Sequence, residues 1–317
     1  MLVLLGQLGS CLIRERIVYL LYSLTVAPRI KFHGWEGMCL VLYKLARKRT
    51  HVEAKSIFGI STGAISEVFN CSLDIIYNVA DPLLQKIQWD AILHKLDDFA
   101  SSTENAGMPV PNVIGFLDGT LRITARPQRG QKWLYSYKDH SRGVKFQGVI
   151  TPDGLLRMMF GPFYGRRHDG ALLNASQLIE DMEAIEEKLR VNDDLEGHYR
   201  LLGDSAYRLS RFLLRPFKGA VLSRAENRVN YEFARCRISI EWGFGVVATL
   251  WRSMALKAEQ QMLVIPCARH WIVSVFLTNC YVCLYGKDSS NTASLFDLDP
   301  PTLEEYVSGR RYKHDDE

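Results

Sequence analysis

The sequence predicts an α/β protein, a mixed sheet flanked by helices and preceded by an all-helical module, and three observations carry that prediction. Apolar residues recur at spacings of three and four through residues 34 to 98, the signature of amphipathic helices. Beyond residue 111 the pattern changes to short apolar runs bounded by Gly, Pro and Asp, which read as strands. Two of those runs end on an aspartate. The segment SSTENAGMPVPN between the regions reads as a linker or long loop. The expected division is a helical module over 1–100, an α/β domain over 111–285 and a polar, flexible tail over 286–317.

The bulk composition suits a folded core: 317 residues, 47% hydrophobic, with a net charge of +4. That charge is small, so an anionic partner requires basic residues concentrated locally. Seven irregularly spaced cysteines do not form a disulfide framework and fit a reducing compartment. Cys280 and Cys283 form a single CxxC inside an apolar helical run, whereas a structural zinc site needs four such ligands. The apolar N-terminus is interrupted by Arg14, Glu15 and Arg16, so it reads as one or two packed helices and no membrane partner is expected.

Within the helical module, VEAKSIFGISTGAISEVFN has the layout of a helix-turn-helix. The first helix runs to about Phe58, Gly59 makes the turn, and Ser61 or Thr62 caps the second. Ala54, Gly59 and Ile65 are the small or apolar contacts between the two helices. Lys44, Arg47, Lys48 and Arg49 precede it as phosphate contacts or as an ordinary solvated face.

In the second region NVIGFLDGTLRIT reads as a buried strand with Asp118 at its end. VKFQGVITPDGLLRMMFGPF reads as a hairpin turning at Pro152, Asp153 and Gly154. One long amphipathic helix, ALLNASQLIEDMEAIEEKL, leads to a short strand in YRLLGDSAY, which delivers Asp204. A helix over NYEFARCRISIEWGFGVVATLW carries Glu241. Three strands, helix, strand, helix is the opening order of a ribonuclease H-like fold.

Asp118, Asp204 and Glu241 each sit in or beside apolar elements, where an unpaired negative charge is expensive. A pair of divalent cations roughly 3.5–4 Å apart compensates such charges and creates a phosphoryl-transfer site. Hard oxygen donors without a His/Cys set favour Mg²⁺ or Mn²⁺ over zinc. In that reading Asp118 bridges both ions, while Asp204 and Glu241 hold one each. Asp169 is the rival second acid, but its place at a helix start is explained by N-terminal capping, and metal ligation remains the alternative. His168 reads as a substrate-contacting or structural residue. Arg237, one turn before Glu241, either orients that carboxylate or holds a phosphate, or else forms a surface ion pair. Tyr207 packs beside the site or in the core.

Arg122, Arg126, Arg129, Lys132, Lys138, Arg142 and Lys145 form a basic stripe opposed by Asp139 alone, with Trp133, Tyr135 and Tyr137 interleaved. Such a mixture suits a DNA backbone track with base stacking, and Arg166, Arg167 and Arg237 extend it. A solvated loop with buried aromatics is the alternative.

The motifs GFLDGT, KFQGVITPDG, GRRHDGALL, LLGDSAY and RISIEWGFG occur in the order seen in Harbinger-type transposase nucleases, and the chain resembles that family over about residues 111 to 283. The resemblance implies a DDE endonuclease with Asp118, Asp204 and Glu241 as its catalytic triad. Ala206 stands where the family usually has Gly. The resemblance further implies DNA as partner, a separate Myb-like DNA-binding protein and residence in the nucleus. It admits a homo-oligomer that no residue specifies. The expected activity is cleavage of phosphodiester bonds at transposon ends and joining of the 3′-hydroxyl to target DNA. The competing expectation is a domesticated, non-transposing DNA-binding or scaffold protein that retains the fold. A two-carboxylate glycosidase is disfavoured by the basic stripe and by the lack of a sugar-binding aromatic platform.

Overall fold

The computed structural model describes residues 34–46, 50–127, 130–190, 198–255 and 266–308. The apolar N-terminal segment and Arg129 fall outside these residues. Six strands form one mixed sheet among the described residues: β1 (Val113–Ile123), β2 (Tyr135–Ser136), β3 (Ser141–Ile150), β4 (Leu156–Tyr164), β5 (Arg200–Leu202) and β6 (Leu213–Leu214). β1 pairs antiparallel with β3, and β3 pairs antiparallel with β4. On its other side β1 pairs parallel with β5, which pairs parallel with β6. This is the mixed, helix-flanked sheet expected of a ribonuclease H-like fold.

The helix-turn-helix segment is set by its local chemistry. Helix α1 spans Gly34–Ala46, and α2 spans His51–Phe58. Thr50 caps α2 and exchanges hydrogen bonds with Glu53 in a capping box. Gly59 ends the helix at φ 68°, a left-handed conformation that only glycine adopts without steric cost. The Ser61 side chain then accepts from the Ala64 amide at 3.2 Å and opens α3 (Thr62–Gln85). One face of α3 is nevertheless interior: Ile65, Val68, Phe69, Leu73, Ile76, Ala80 and Leu84 make one apolar stripe at helical spacing.

That stripe packs on α10 (Cys267–Tyr285) and on β4. Helix α10 is long and apolar enough to cross a bilayer by length and composition, yet its side chains form the centre of the fold. Trp271, Val273, Val275 and Phe276 are fully buried. Cys280 and Cys283 lie on it with thiols pushed up by burial, Cys283 to about 12. One core therefore joins the N-terminal helices, α10 and one face of the sheet through Phe116, Phe146, Ile150 and Leu202. A second core covers the opposite face, where Ile114, Leu117, Val149 and Leu201 meet α4 (Trp89–Ile92), α5 (Leu96–Asn105), α7 (Asp169–Ser176) and α8 (Leu178–Arg190).

Four expectations change. The first half of the expected linker is helical, because α5 continues to Asn105, and Thr103 donates to the Val113 carbonyl at 2.7 Å, tying it to β1. The single helix expected after β4 breaks at Gln177, whose φ of 56° divides α7 from α8. A four-residue helix α6 (Gln131–Leu134) and the two-residue strands β2 and β6 escaped a periodicity reading. Residues 287–308, expected to be a loose tail, form α11 (Asn291–Phe296) and α12 (Leu303–Ser308), and Phe296 and Tyr306 are buried. Tyr306 accepts from Asn279 of α10 at 2.8 Å, and Phe296 stacks on Phe116 of β1 at 5.4 Å.

Trp271 is completely buried, and the Arg122 guanidinium lies over its ring at 4.0 Å. Replacing a large core aromatic by alanine costs about 3–5 kcal/mol. Trp271→Ala is expected to lose stability in that range in a denaturant titration, and a loss below about 1 kcal/mol would contradict the central position of α10.

Candidate active site

Strand register brings the first two acids together. In the parallel pairing of β1 with β5, Phe116 is the partner of Leu202. Two residues further on, β1 carries Asp118 and the segment leaving β5 carries Asp204, so the two carboxylates emerge close enough to influence each other. Side chains two apart share a sheet face, and Phe116 and Leu202 belong to the core on the side of α9 (Arg224–Leu250). Helix α9 carries Glu241 and Arg237 along that face. It begins with a capping box in which Ser223 and Glu226 exchange hydrogen bonds.

Arg237 links the helix to the sheet. Its guanidinium donates to Asp118 Oδ2 at 3.0 Å and to Glu241 Oε1 at 3.2 Å. It thus makes the expected ion pair one turn along the helix with Glu241 and adds a second one across to Asp118 on the sheet. Asp118 Oδ1 accepts from the Gly119 amide at 2.8 Å, and Asp204 Oδ1 accepts from the Ala206 amide at 2.8 Å. The residue in place of the usual glycine therefore supplies only backbone to the site.

Asp169 joins this cluster, and its structure corrects the capping expectation. His168, not Asp169, occupies the N-cap position of α7, and no side-chain cap bond is made there. Asp169 is buried, receives a hydrogen bond from Lys145 Nζ at 3.0 Å, and lies 4.0 Å from Lys138 Nζ. Its carboxylate rests against the backbone beside Asp118, since a Cβ on Gly119 would stand 2.5 Å from Asp169 Oδ1. Only glycine leaves room for that approach. Lys138 Nζ also lies 3.5 Å from Asp204 Oδ2, so one ammonium spans two acids.

The charges are consequently strongly coupled. Burial, opposed by Arg237 and the Gly119 amide and reinforced by Asp204, raises the Asp118 carboxyl to about 6. Burial works against the Lys138 charge, but Asp204, Asp169 and Asp118 together raise its pKa. Tyr207 is buried with its hydroxyl unpartnered, and burial together with Asp169, Asp118 and Asp204 pushes it well above its ordinary range. Tyr207 packs in the second core and against Gly203, so it is both a core residue and a wall of the site.

Asp118, Asp204 and Glu241 were expected to converge on shared cations. Among the described residues, no group of three His, Cys, Asp or Glu side chains stands ready to hold a metal ion. Lys138 and Arg237 occupy the positive positions between the acids instead. The donor set still fits Mg²⁺ or Mn²⁺ in kind: carboxylate oxygens, two of them already held by backbone amides, without sulfur or imidazole among them. Asp169 is committed to Lys145.

The basic stripe divides in two. Lys145 is buried between Asp169 and the Arg167 carbonyl, 3.0 Å from each, so it positions an acid and does not line a DNA track. Arg122 donates to Thr120 Oγ1 at 2.6 Å and packs over Trp271, where burial lowers it to about 10. Arg142 is half-buried over Tyr135. Lys132, Arg126, Arg166 and Arg167 remain exposed. Arg126 Nε is tied to Gln131 at 2.8 Å, and Arg166 lies over Trp133 at 3.6 Å. Trp133 in turn meets the exposed ring of Tyr164, and Tyr137 next to Lys138 is exposed.

A second group of basic residues, Arg237 apart, escaped the sequence reading. Between Tyr207 and Ile240 the chain carries eight Arg or Lys against Glu226 and Glu232 alone. Their spacing of two to seven residues conceals them from a search for dense runs.

The fold and the acidic cluster define a class of protein, and comparison with known proteins agrees. The model of the family described as DDE superfamily endonuclease matches residues 117–279, just over half of the chain, and the chain belongs to that family. Protein ALP1-like from Arabidopsis thaliana is 24% identical over 206 residues, covering 61% of this chain and 50% of the relative. The chain thus spans about half the length of the curated relative it matches. No solved structure matches.

The raised Asp118 pKa fixes a sign. The carboxyl binds its proton more tightly in the folded protein than its ordinary value of 3.8 allows, so its contribution is fully present below about pH 4 and is lost as pH rises through about 6. Asp118→Asn is therefore expected to be more stable than the parent near neutral pH by something on the order of 2 kcal/mol. Chelator-containing denaturant titrations at about pH 4 and about pH 7.5 should show the gap opening with pH. A gap that stays constant, or closes, counts against the buried, charge-coupled carboxyl.

Proposed function

We propose that the chain is a metal-dependent DNA endonuclease of Harbinger-type descent, cutting phosphodiester bonds at transposon ends and joining the freed 3′-hydroxyl to target DNA. The observation that carries this reading is the β1–β5 register, which sets Asp118 and Asp204 side by side facing Glu241 and Arg237 on α9. Asp118, Asp204 and Glu241 are the residues to hold two divalent cations. Such ions activate the attacking oxygen and stabilise the leaving one when bound.

The remaining residues have separable roles. Lys145 and the close packing on Gly119 hold Asp169, while Asp169 helps to keep Lys138 over the site. Arg237 keeps Asp118 and Glu241 aligned and offers a guanidinium suited to a phosphate. Arg126, Lys132, Arg166 and Arg167, with Trp133, Tyr137 and Tyr164, offer exposed cations and rings to a DNA strand. DNA, nuclear residence, a Myb-like partner and a homo-oligomer belong to this proposal. The family resemblance supports the first three.

A specific observation favours the second reading, a domesticated protein that retains the nuclease fold. The acids are neutralised by Lys138 and Arg237 of the same chain, an arrangement that is stable without catalysis. Nicking of supercoiled plasmid separates the readings. The nuclease reading expects Mg²⁺- or Mn²⁺-dependent nicking, reduced at least about a thousandfold by Asp204→Asn, the order of effect expected for loss of a group on which the chemistry depends. DNA binding without nicking in either metal would support the domesticated reading.

A further inference from the structure

One exposed face of α9 leads along the protein surface towards the candidate active site. Arg224, Arg228, Tyr231 and Ile238 are solvent-exposed and recur at intervals of three, four and seven residues, which places them on one side of a helix. From Arg224 to Ile238 the stripe is about 21 Å long at 1.5 Å per residue. Glu241 follows Ile238 by three residues, at the edge of the same stripe, and its neighbour Arg237 holds Asp118.

The surface has a built flank. The backbone amide of Phe217 donates to Asn230 Oδ1 at 2.8 Å, and Asn230 Nδ2 donates to the Phe217 carbonyl at 3.1 Å. This clamp fixes the preceding loop on α9. The loop exposes Phe217 and Lys218, and Val221 further on is 92% exposed. No acidic side chain among the described residues forms an ion pair with Arg224, Arg228 or Lys218. Arg235, on the same helix, is by contrast paired with Glu232 at 3.1 Å. Unpaired cations interleaved with exposed rings and branched aliphatics make a poor solvated helix and a good surface for a polyanion with apolar edges.

We propose that this face of α9, with the clamped Phe217–Lys218 loop, binds the duplex DNA flanking the bond to be cut and aligns its backbone with Glu241. The proposal deepens the nuclease reading and rests on it for the identity of the ligand. Three properties favour duplex DNA. Arg224 and Arg228 lie one turn apart at the start of the stripe, the stripe passes Tyr231 and Ile238 to reach Glu241 at its edge about 20 Å beyond Arg228, and its residues are other than those of the Trp133–Tyr164 surface, so a second segment of DNA has a separate set of contacts.

Fluorescence anisotropy with a 30-base-pair duplex of about random composition, in EDTA so that no cleavage occurs, tests the track apart from catalysis. Each phosphate contact contributes about 0.9 to the slope of log affinity against log salt. Arg224→Ala/Arg228→Ala is expected to lower that slope by about 2 and to weaken binding at least about tenfold, while the conservative Arg224→Lys/Arg228→Lys restores most of it. Tyr231→Ala should weaken binding with the slope unchanged. Circular dichroism of each variant verifies folding. Unchanged affinity and slope in the double alanine variant, no binding by the parent chain, or loss of a protein–protein contact in place of DNA binding would overturn the proposal. Plasmid nicking by the parent chain and by Asp204→Asn reports on the nuclease reading separately, since the binding assay contains no metal.

Discussion

The parallel pairing of β1 with β5 is the constraint on which the rest of the site depends. It is only a few residues long, and β5 itself has three. Because Phe116 pairs with Leu202, the same register decides that two aspartates far apart in the chain emerge close enough to influence each other. A slip of one residue would send one of them to the opposite core, where Leu117 and Leu201 lie. The apolar residues before each acid therefore hold the register while building the core. Fold stability and site geometry are here a single interaction.

That placement has an electrostatic cost which the structure meets with its own cations. Four acids, Asp118, Asp169, Asp204 and Glu241, are served by Lys138, Lys145 and Arg237. The compensation is graded by burial. Lys145 is inside and serves the buried Asp169, whereas Lys138 is 64% exposed at its side chain and reaches Asp204 from a turn. An inner pair of this kind is structural, since removing one partner leaves an uncompensated buried charge. The outer lysine is mostly in solvent, so its replacement costs less. Membership of the DDE endonuclease family and this arrangement of replaceable charge are mutually consistent.

Much of the fold was legible in the residues. Gly59 and Ser61 punctuate the helix-turn-helix by their backbone and side-chain chemistry, and strands ending on Asp118 and Asp204 follow from apolar runs that stop at an acid. The less legible parts depend on partners distant in sequence. Asp169 looked like a cap because its lysine lies 24 residues earlier, and only the β3 register brings Lys145 to it. Gln177 breaks a helix that its own propensity would continue. The helices after residue 290 are short and polar outside, and their order comes from burying Phe296 and Tyr306 against β1 and α10. Of the expected DNA track, Arg122 and Lys145 proved interior because alternation along a strand turns cations inward as well as outward. The cations of α9 other than Arg237 are hidden because helical spacing spreads them through a sequence that is otherwise mixed.

The central proposal is that register makes Asp118 and Asp204 one cation-binding unit. Calorimetric titration of the apo protein with Mn²⁺ tests it most directly, without reference to turnover. The account predicts saturable binding that weakens at least about tenfold in Asp118→Asn and in Asp204→Asn, with the double variant little worse than either single one. Mn²⁺ binding that is unchanged in both single variants would contradict it.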